Sequence, residues 1–314
     1  MMLLLFAGGE LYYRYVYDTT DSLSYTKVSQ RWFQRYFVYN PSGFRDNVEY
    51  RRLRQPGVRR ITFVGDSFTV GHGIRSVDDR FANLIRAAHP EWEIHVVGHI
   101  GLDTGAELAL MQKSLKEGYQ IDEVVLVYCL NDVADVLPQW NKDLKRIFAD
   151  ENQGGWLRQH SYFIDTLYHH YKAAHDPAMQ HYFDFVRSGY SGPVWELQQK
   201  RLMEFRDIVR TNGGRLLVVT FPFLNALGPK YPYRSIHEKL DQFWKKLGVP
   251  NLDLLPIYAN LPPAKLTVNP YDAHPNEYAH ALAAKAIGKF LVTQLSNSPL
   301  SALVSSNTVS SPPR

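Results

Sequence analysis

The chain has 314 residues, 45% of them hydrophobic and 21% charged, with a formal net charge of +4 at neutral pH. That length holds one large domain with insertions or two smaller ones, and the composition is that of an ordinary soluble globular protein. So small a positive charge, without aromatic-interleaved basic motifs, gives no ground for a nucleic-acid partner; a single cysteine, Cys129, excludes an internal disulfide framework and any cysteine-built zinc site.

The first residues, Met1-Met2-Leu3-Leu4-Leu5-Phe6-Ala7-Gly8-Gly9, are apolar but too few to span a bilayer, and they lack the basic flank of a secretory signal. Residues 1–30 therefore read either as the end of a membrane anchor or as an apolar segment docked on the domain. An arginine-rich stretch follows between Arg31 and Arg60, including Arg35, Arg45, Arg51, Arg52, Arg54 and Arg59. It is expected to form a solvated face, with attraction to an anionic surface as the alternative. From there strands and helices alternate. Ile61 to Gly65 reads as a strand, and Ser76 to Asp79 as the cap of a helix bearing Phe81, Leu84 and Ile85. Ile94 to Val97 is a second strand, and Thr104-Gly105-Ala106-Glu107 a capping box for a helix with Leu108, Met111 and Leu115. Val124 to Tyr128 is a third strand, apolar enough for burial on both faces. Residues from about 135 to 194, rich in Tyr, His, Trp and Phe, read as a helical and loop insertion. The alternation resumes with a helix closed at Asn212-Gly213-Gly214, a strand over Arg215 to Thr220, a helix ending at Gly248, a short strand at Asn251 to Leu254, and a last helix from about Asn276 to Gln294. Repeated strand–helix units predict an α/β fold with a parallel sheet and helices on both faces. The domain runs over 31–295, and the Ser/Pro-rich residues 296–314 read as a disordered tail.

Two short stretches carry the chemistry. Gly65-Asp66-Ser67 ends the first predicted strand, where α/β folds bind their ligands. A lone serine there usually only caps a helix, but Asp272-Ala273-His274-Pro275, opening the last predicted helix, supplies an acid and a base. A serine hydroxyl needs a base to take its proton, and histidine does this best when a carboxylate fixes its tautomer. The oxyanion of a tetrahedral intermediate needs donors; the candidates are the backbone N–H groups of Ser67 and Gly101 and the side-chain amide of Asn131.

These residues resemble the SGNH/GDSL hydrolase family over about Gly43 to Val292. Gly65-Asp66-Ser67-Phe68-Thr69 is similar to its first block, whose serine is the nucleophile. Gly98-His99-Ile100-Gly101-Leu102-Asp103-Thr104 is similar to the second, where a glycine N–H serves the oxyanion; Gly101 is preferred to Gly98 because it lies closer to the capped helix. Leu130-Asn131-Asp132 is similar to the third, which supplies an asparagine donor, and Asp272-Ala273-His274-Pro275-Asn276 to the last, which carries acid and base. Asn40-Pro41-Ser42-Gly43-Phe44-Arg45-Asp46 is similar to a lead-in of bacterial members. The resemblance implies a flavodoxin-like three-layer α/β/α sandwich around a mainly parallel five-stranded sheet, and hydrolysis of carboxylic esters or carbohydrate O-acyl groups without a metal. Two positions depart from the pattern. Cys129 stands where the third block usually has glycine, and acid and base are separated by one residue instead of two.

Other readings are weaker. No Gly-x-Ser-x-Gly is present around Ser67, because Thr69 holds the last position. Gly71-His72-Gly73 opens like a dinucleotide fingerprint, but Ser76 occupies the third glycine's place. His169, His170, His175 and His181 lie in the insertion without zinc-site spacing and are expected on a solvent-facing cap helix. Trp140, Trp156, Tyr162, Tyr168 and Tyr190 read as the core of the cap, with a substrate-stacking wall as the alternative. No cofactor or metal is expected. The expected partner is a small-molecule or carbohydrate acyl ester, with membrane association through the N-terminus and a bacterial cell-envelope location. Acyl transfer to a sugar hydroxyl and a binding module with a decayed site stand as alternatives.

Overall fold

The computed structural model describes residues 2–149 and 155–296. The tail expected from 296 onward lies outside them except for Ser296, which ends the last helix.

Five strands, β1 (Arg59–Gly65), β2 (Trp92–Gly98), β3 (Glu123–Cys129), β4 (Arg215–Phe221) and β5 (Asn251–Asp253), form one parallel sheet in the order β2-β1-β3-β4-β5. The apolar run of β3 is buried at every residue, as a central strand covered on both faces must be. Helix Phe81–Ala88 packs on helix Glu277–Ser296, and helix Thr104–Lys116 on helix Gly192–Thr211; these pairs flank the sheet. In the last helix Ala279, Ala283, Ile287, Leu291 and Leu295 recur every four residues and are all buried.

The sheet order puts a switch point between β1 and β3, since the chain leaves β1 for one neighbour and returns on its other side. Register brings three strand ends level there: Gly65 pairs with Gly98 of β2 and with Val127 of β3. A Cβ on Gly98 would lie 2.2 Å from the Gly65 carbonyl oxygen, so only glycine fits.

Local details differ from the sequence reading. Asp103 caps helix Thr104–Lys116, accepting from Ala106 N at 3.0 Å, and Glu107 is buried within the helix instead of reaching back over a capping box. Ser76 caps only the 3-10 turn Val77–Asp79, and the helix starts afterwards at Phe81. The arginine-rich stretch is not uniformly a solvated face. Arg31, Arg45 and Arg60 are buried, because each guanidinium finds backbone carbonyls or a carboxylate inside. Arg51, Arg52 and Arg54 are exposed.

The largest difference concerns Asp272 and His274. Asp272 and His274 do not open a helix; they lie on β7 (Asp272–Pro275), paired antiparallel with β6 (Thr267–Asn269) in a small separate hairpin.

The insertion is helical, over Pro138–Ala149, Gly155–His160, Tyr162–His175, Pro177–Gln180 and Tyr182–Ser188. Its histidines do not all face solvent: His169 is buried and His170 stacks on Tyr271 at 3.4 Å between ring centroids. Trp140 and Tyr190 are buried, whereas Trp156 is exposed. Helix Met2–Leu11 reaches the insertion through Glu10, whose carboxylate accepts from Ser161 Oγ at 2.6 Å and from the amides of Tyr162 and Phe163. Leu3, Leu4 and Leu5 stand clear of the domain, 84%, 78% and 68% exposed. Among the described residues no helix is long and apolar enough to cross a membrane.

Candidate active site

Ser67 is the first residue of a four-residue helix, Ser67–Val70, that leaves β1 at the switch point. Asp66 caps this helix, accepting from Phe68 N at 2.9 Å. The Ser67 N–H thus lies in a first turn, where backbone donors have no intrahelical acceptor.

The hairpin brings His274 to the serine. Alternate residues of a strand point to the same face, so Asp272 and His274, two apart on β7, project together. His274 Nδ1 lies 2.6 Å from Asp272 Oδ1, and His274 Nε2 lies 2.8 Å from Ser67 Oγ. Burial works to raise the Asp272 pKa, but His72 and His274 outweigh it and hold the carboxyl well below its ordinary value. An ionised carboxylate only accepts, so Nδ1 carries the ring proton and Nε2 is free to accept from the serine hydroxyl. That is the tautomer a general base requires. Burial, with His72 adding to it, lowers the His274 pKa against the opposing pull of Asp272. The imidazole is therefore neutral, and able to act as a base, at neutral pH.

Asn131 follows β3, in the 3-10 turn Leu130–Val136, and is half-buried. Its Nδ2 lies 3.4 Å from Asp66 Oδ2, which also lies 3.4 Å from Ser67 Oγ. Asp66 thus bridges the serine and the amide, and burial raises its pKa. Gly101 is exposed beyond the end of β2, at φ +75°, a left-handed conformation that favours glycine. No hydrogen bond ties it to the other four among the described residues. Hydrogen bonds join Ser67, His274 and Asp272 directly and Asn131 through Asp66; Gly101 is linked to the site only by lying past a neighbouring strand end.

Cys129, in the usual glycine position, has φ −99° and ψ 152°. This is extended backbone open to any residue, so the substitution strains nothing. The thiol is buried, which pushes its pKa well above the ordinary value and makes it a poor nucleophile. The buried Tyr182 hydroxyl of the insertion interacts with the Asn131 side chain, so the insertion reaches the site.

Two residues at the site escaped the sequence reading. Thr20 donates its hydroxyl to Asp272 Oδ2, and His72 Nε2 lies 3.2 Å from the same oxygen. The Gly-His-Gly turn was the visible signal for His72; Thr20 sits in a segment with no periodicity or motif. His72, Asp272 and His274 are also the one group of three metal-ligating side chains among the described residues whose ligand atoms lie within 4.8 Å of one another. Both Asp272 oxygens and the His274 nitrogens already hold hydrogen bonds, which a cation would have to displace.

No family model matches this chain, and no curated protein does. Solved structures similar to it include an esterase from Pseudoalteromonas sp., at 14% identity over 76% of this chain and 100% of that one, with a TM-score of 0.45. An extracellular lipase from Streptomyces rimosus is 16% identical over 75% of this chain and 99% of its own, with a TM-score of 0.46. A catalytic mutant of an acetylxylan esterase from Geobacillus stearothermophilus is 14% identical, covering 76% of this chain and 96% of its own, with a TM-score of 0.46.

Proposed function

We propose that this chain is a serine hydrolase of carboxylic esters, of the SGNH/GDSL type. The observation that carries this reading is the hydrogen-bonded series Asp272–His274–Ser67; with Asp272 ionised, Nδ1 donates to it and Nε2 is left to accept from the serine. The four sequence blocks in order along the chain, the first three at the ends of β1, β2 and β3, support it further.

In this reading His274 Nε2 takes the Ser67 proton as Oγ attacks the acyl carbonyl. The carbonyl π electrons move onto oxygen, where the N–H groups of Ser67 and Gly101 and the Asn131 amide stabilise the charge. The imidazolium then gives its proton to the departing alkoxide, leaving an acyl-serine. Water, deprotonated by the same nitrogen, attacks the acyl carbon; the bond from that carbon to Ser67 Oγ breaks, Oγ takes the proton back from the imidazolium, and the acid leaves. Asp272 holds the ring and offsets its transient positive charge throughout.

A binding module with a decayed site would have no reason to keep this relay, so its intact hydrogen bonds favour catalysis. Acyl transfer to a sugar hydroxyl would use the same residues with a different acceptor. The N-terminus is proposed to meet a membrane surface, in a bacterial envelope location, on the strength of the exposed Leu3, Leu4 and Leu5. The test is turnover of short p-nitrophenyl esters and acetylated sugars by wild type and Ser67→Ala, with and without a carbohydrate acceptor. Acetate release that stops in Ser67→Ala supports hydrolysis, acylated acceptor supports transfer, and equal rates in both proteins refute the assignment.

A further inference from the structure

The two oxygens of Asp272 have different duties. Oδ1 accepts from His274 Nδ1 at 2.6 Å and from the His274 backbone N–H at 3.1 Å. Oδ2 points away from the base and takes the Thr20 hydroxyl and His72 Nε2. His72 Nε2 also lies 3.1 Å from the Asp21 carbonyl oxygen, which can only accept. This nitrogen therefore carries the ring proton and shares it between Asp21 and Asp272. Asp272, His72 and Thr20 are all buried, so water cannot substitute for either donor. The His72 ring also stacks on that of His274, 3.9 Å between centroids at 15°, and so walls one face of the base.

Both donors are held from outside the hairpin. Gly71 and Gly73, at φ +77° and +87°, flank His72 in a turn that only glycines make easily. A Cβ on Gly73 would lie 2.4 Å from Val268 Cγ2 and 3.1 Å from Thr20 Oγ1, so the turn lets the Thr20 strap approach. Buried Arg45 fixes that turn, donating to the carbonyls of Val70, Gly71 and Ile74. The strap itself is laced to the hairpin. Asn269 Nδ2 donates to Thr19 Oγ1 and the Thr20 carbonyl, Ser22 N donates to the Tyr271 carbonyl, and Ala273 N donates to Ser22 Oγ.

We infer that Thr20 and His72 are positioning residues for the acid: by holding Oδ2 they fix the rotation of the Asp272 carboxylate and keep Oδ1 on His274 Nδ1. The inference rests on the serine-hydrolase reading above. It accounts for how acid and base work when only one residue separates them. The short spacing lets the backbone N–H of His274 compete for Oδ1, and the clamp on the far oxygen restrains the carboxylate from turning toward it.

The test uses the full chain carrying Thr20→Val, Thr20→Ser, His72→Phe or His72→Gln. Hydrolysis of p-nitrophenyl acetate is normalised to active sites titrated with a fluorophosphonate, and the low-field proton resonance of His274 Nδ1–H is recorded in parallel. Losing one hydrogen bond to a charged group should lower kcat about 10- to 100-fold in Thr20→Val and His72→Phe, with KM within about 2-fold. Thr20→Ser and His72→Gln retain a donor and should recover most of that loss, and the low-field resonance should shift or broaden in Thr20→Val but not in Thr20→Ser. Unchanged kcat per titrated site and an unmoved resonance in Thr20→Val overturn the inference, even if the Tm falls. Should His72→Phe fail to fold, the Thr20 pair decides alone. If the wild type hydrolyses no ester, the hydrolase reading has failed, and the resonance comparison still decides whether Thr20 holds the acid.

Discussion

Replacing Asp272 with Asn keeps the shape of the side chain but turns one accepting oxygen into a donor. All four groups facing the carboxylate donate to it: His274 Nδ1 and N, Thr20 Oγ1 and His72 Nε2. If the new amide nitrogen faces His274, two N–H groups meet, and the imidazole must move its proton to Nε2. That nitrogen can then no longer accept from Ser67. If the amide faces the other way, the Thr20 hydroxyl can turn to accept, but His72 Nε2–H is pinned by the Asp21 carbonyl and remains opposed. Neither orientation satisfies the site, and both remove the charge that stabilises the imidazolium. A wrong-tautomer triad loses about 10⁴ in turnover, which is about 5.5 kcal/mol of transition-state stabilisation. We therefore expect Asp272→Asn to lower kcat by about 10³–10⁴ with little change in KM. It should also be less stable at neutral pH. The folded carboxyl lies well below its ordinary 3.8, so its contribution is fully present above that value and is lost as pH falls through the folded pKa. Steady-state hydrolysis of p-nitrophenyl acetate, with thermal unfolding alongside, reads both effects. A kcat within about tenfold of wild type would refute Asp272 as the orienting acid.

Three further outcomes follow from the same geometry. Asn131→Ala should lose about 10²–10³ in kcat while folding normally by circular dichroism, as expected for one oxyanion donor. The acid limb of the kcat/KM profile should fall below the ordinary histidine value of 6.5, because burial lowers the His274 pKa and activity is lost only when that ring protonates. Gly98→Ala should lower the Tm more than Gly101→Ala. The first forces a Cβ to 2.2 Å from the Gly65 carbonyl oxygen, whereas the second meets open space and costs only the left-handed conformation, about 1–2 kcal/mol.

The parallel sheet was legible because its strands are buried. The runs Ile61 to Val64, Val124 to Tyr128 and Leu216 to Val219 leave no other reading, and each forms a strand in the sheet. Ser67, Asp272 and His274, which the structure hydrogen-bonds in series, were legible as candidates, through their types and order along the chain. Their local structure was not. Asp272-Ala273-His274-Pro275 is a four-residue strand with no apolar alternation, and its partner β6 is equally short, so nothing in the pattern separates it from the helix that follows. Cys129 departs from a position that usually holds glycine, but the backbone there is extended and tolerates a side chain. Burial of Arg45 depends on carbonyls contributed by the turn at Val70 to Ile74, which no local pattern around Arg45 announces. Thr20 is 252 residues from the carboxylate it touches, and contacts over such separations leave no trace in composition or spacing.

The central claim is an activated serine at position 67. The most direct measurement is labelling of the intact chain with a fluorophosphonate, followed by peptide mass mapping, on wild type and on Ser67→Ala. A single adduct on the peptide carrying Ser67, absent from a folded Ser67→Ala protein, is the expected result. A folded wild type that takes no label, or an adduct that persists in Ser67→Ala, would contradict the account.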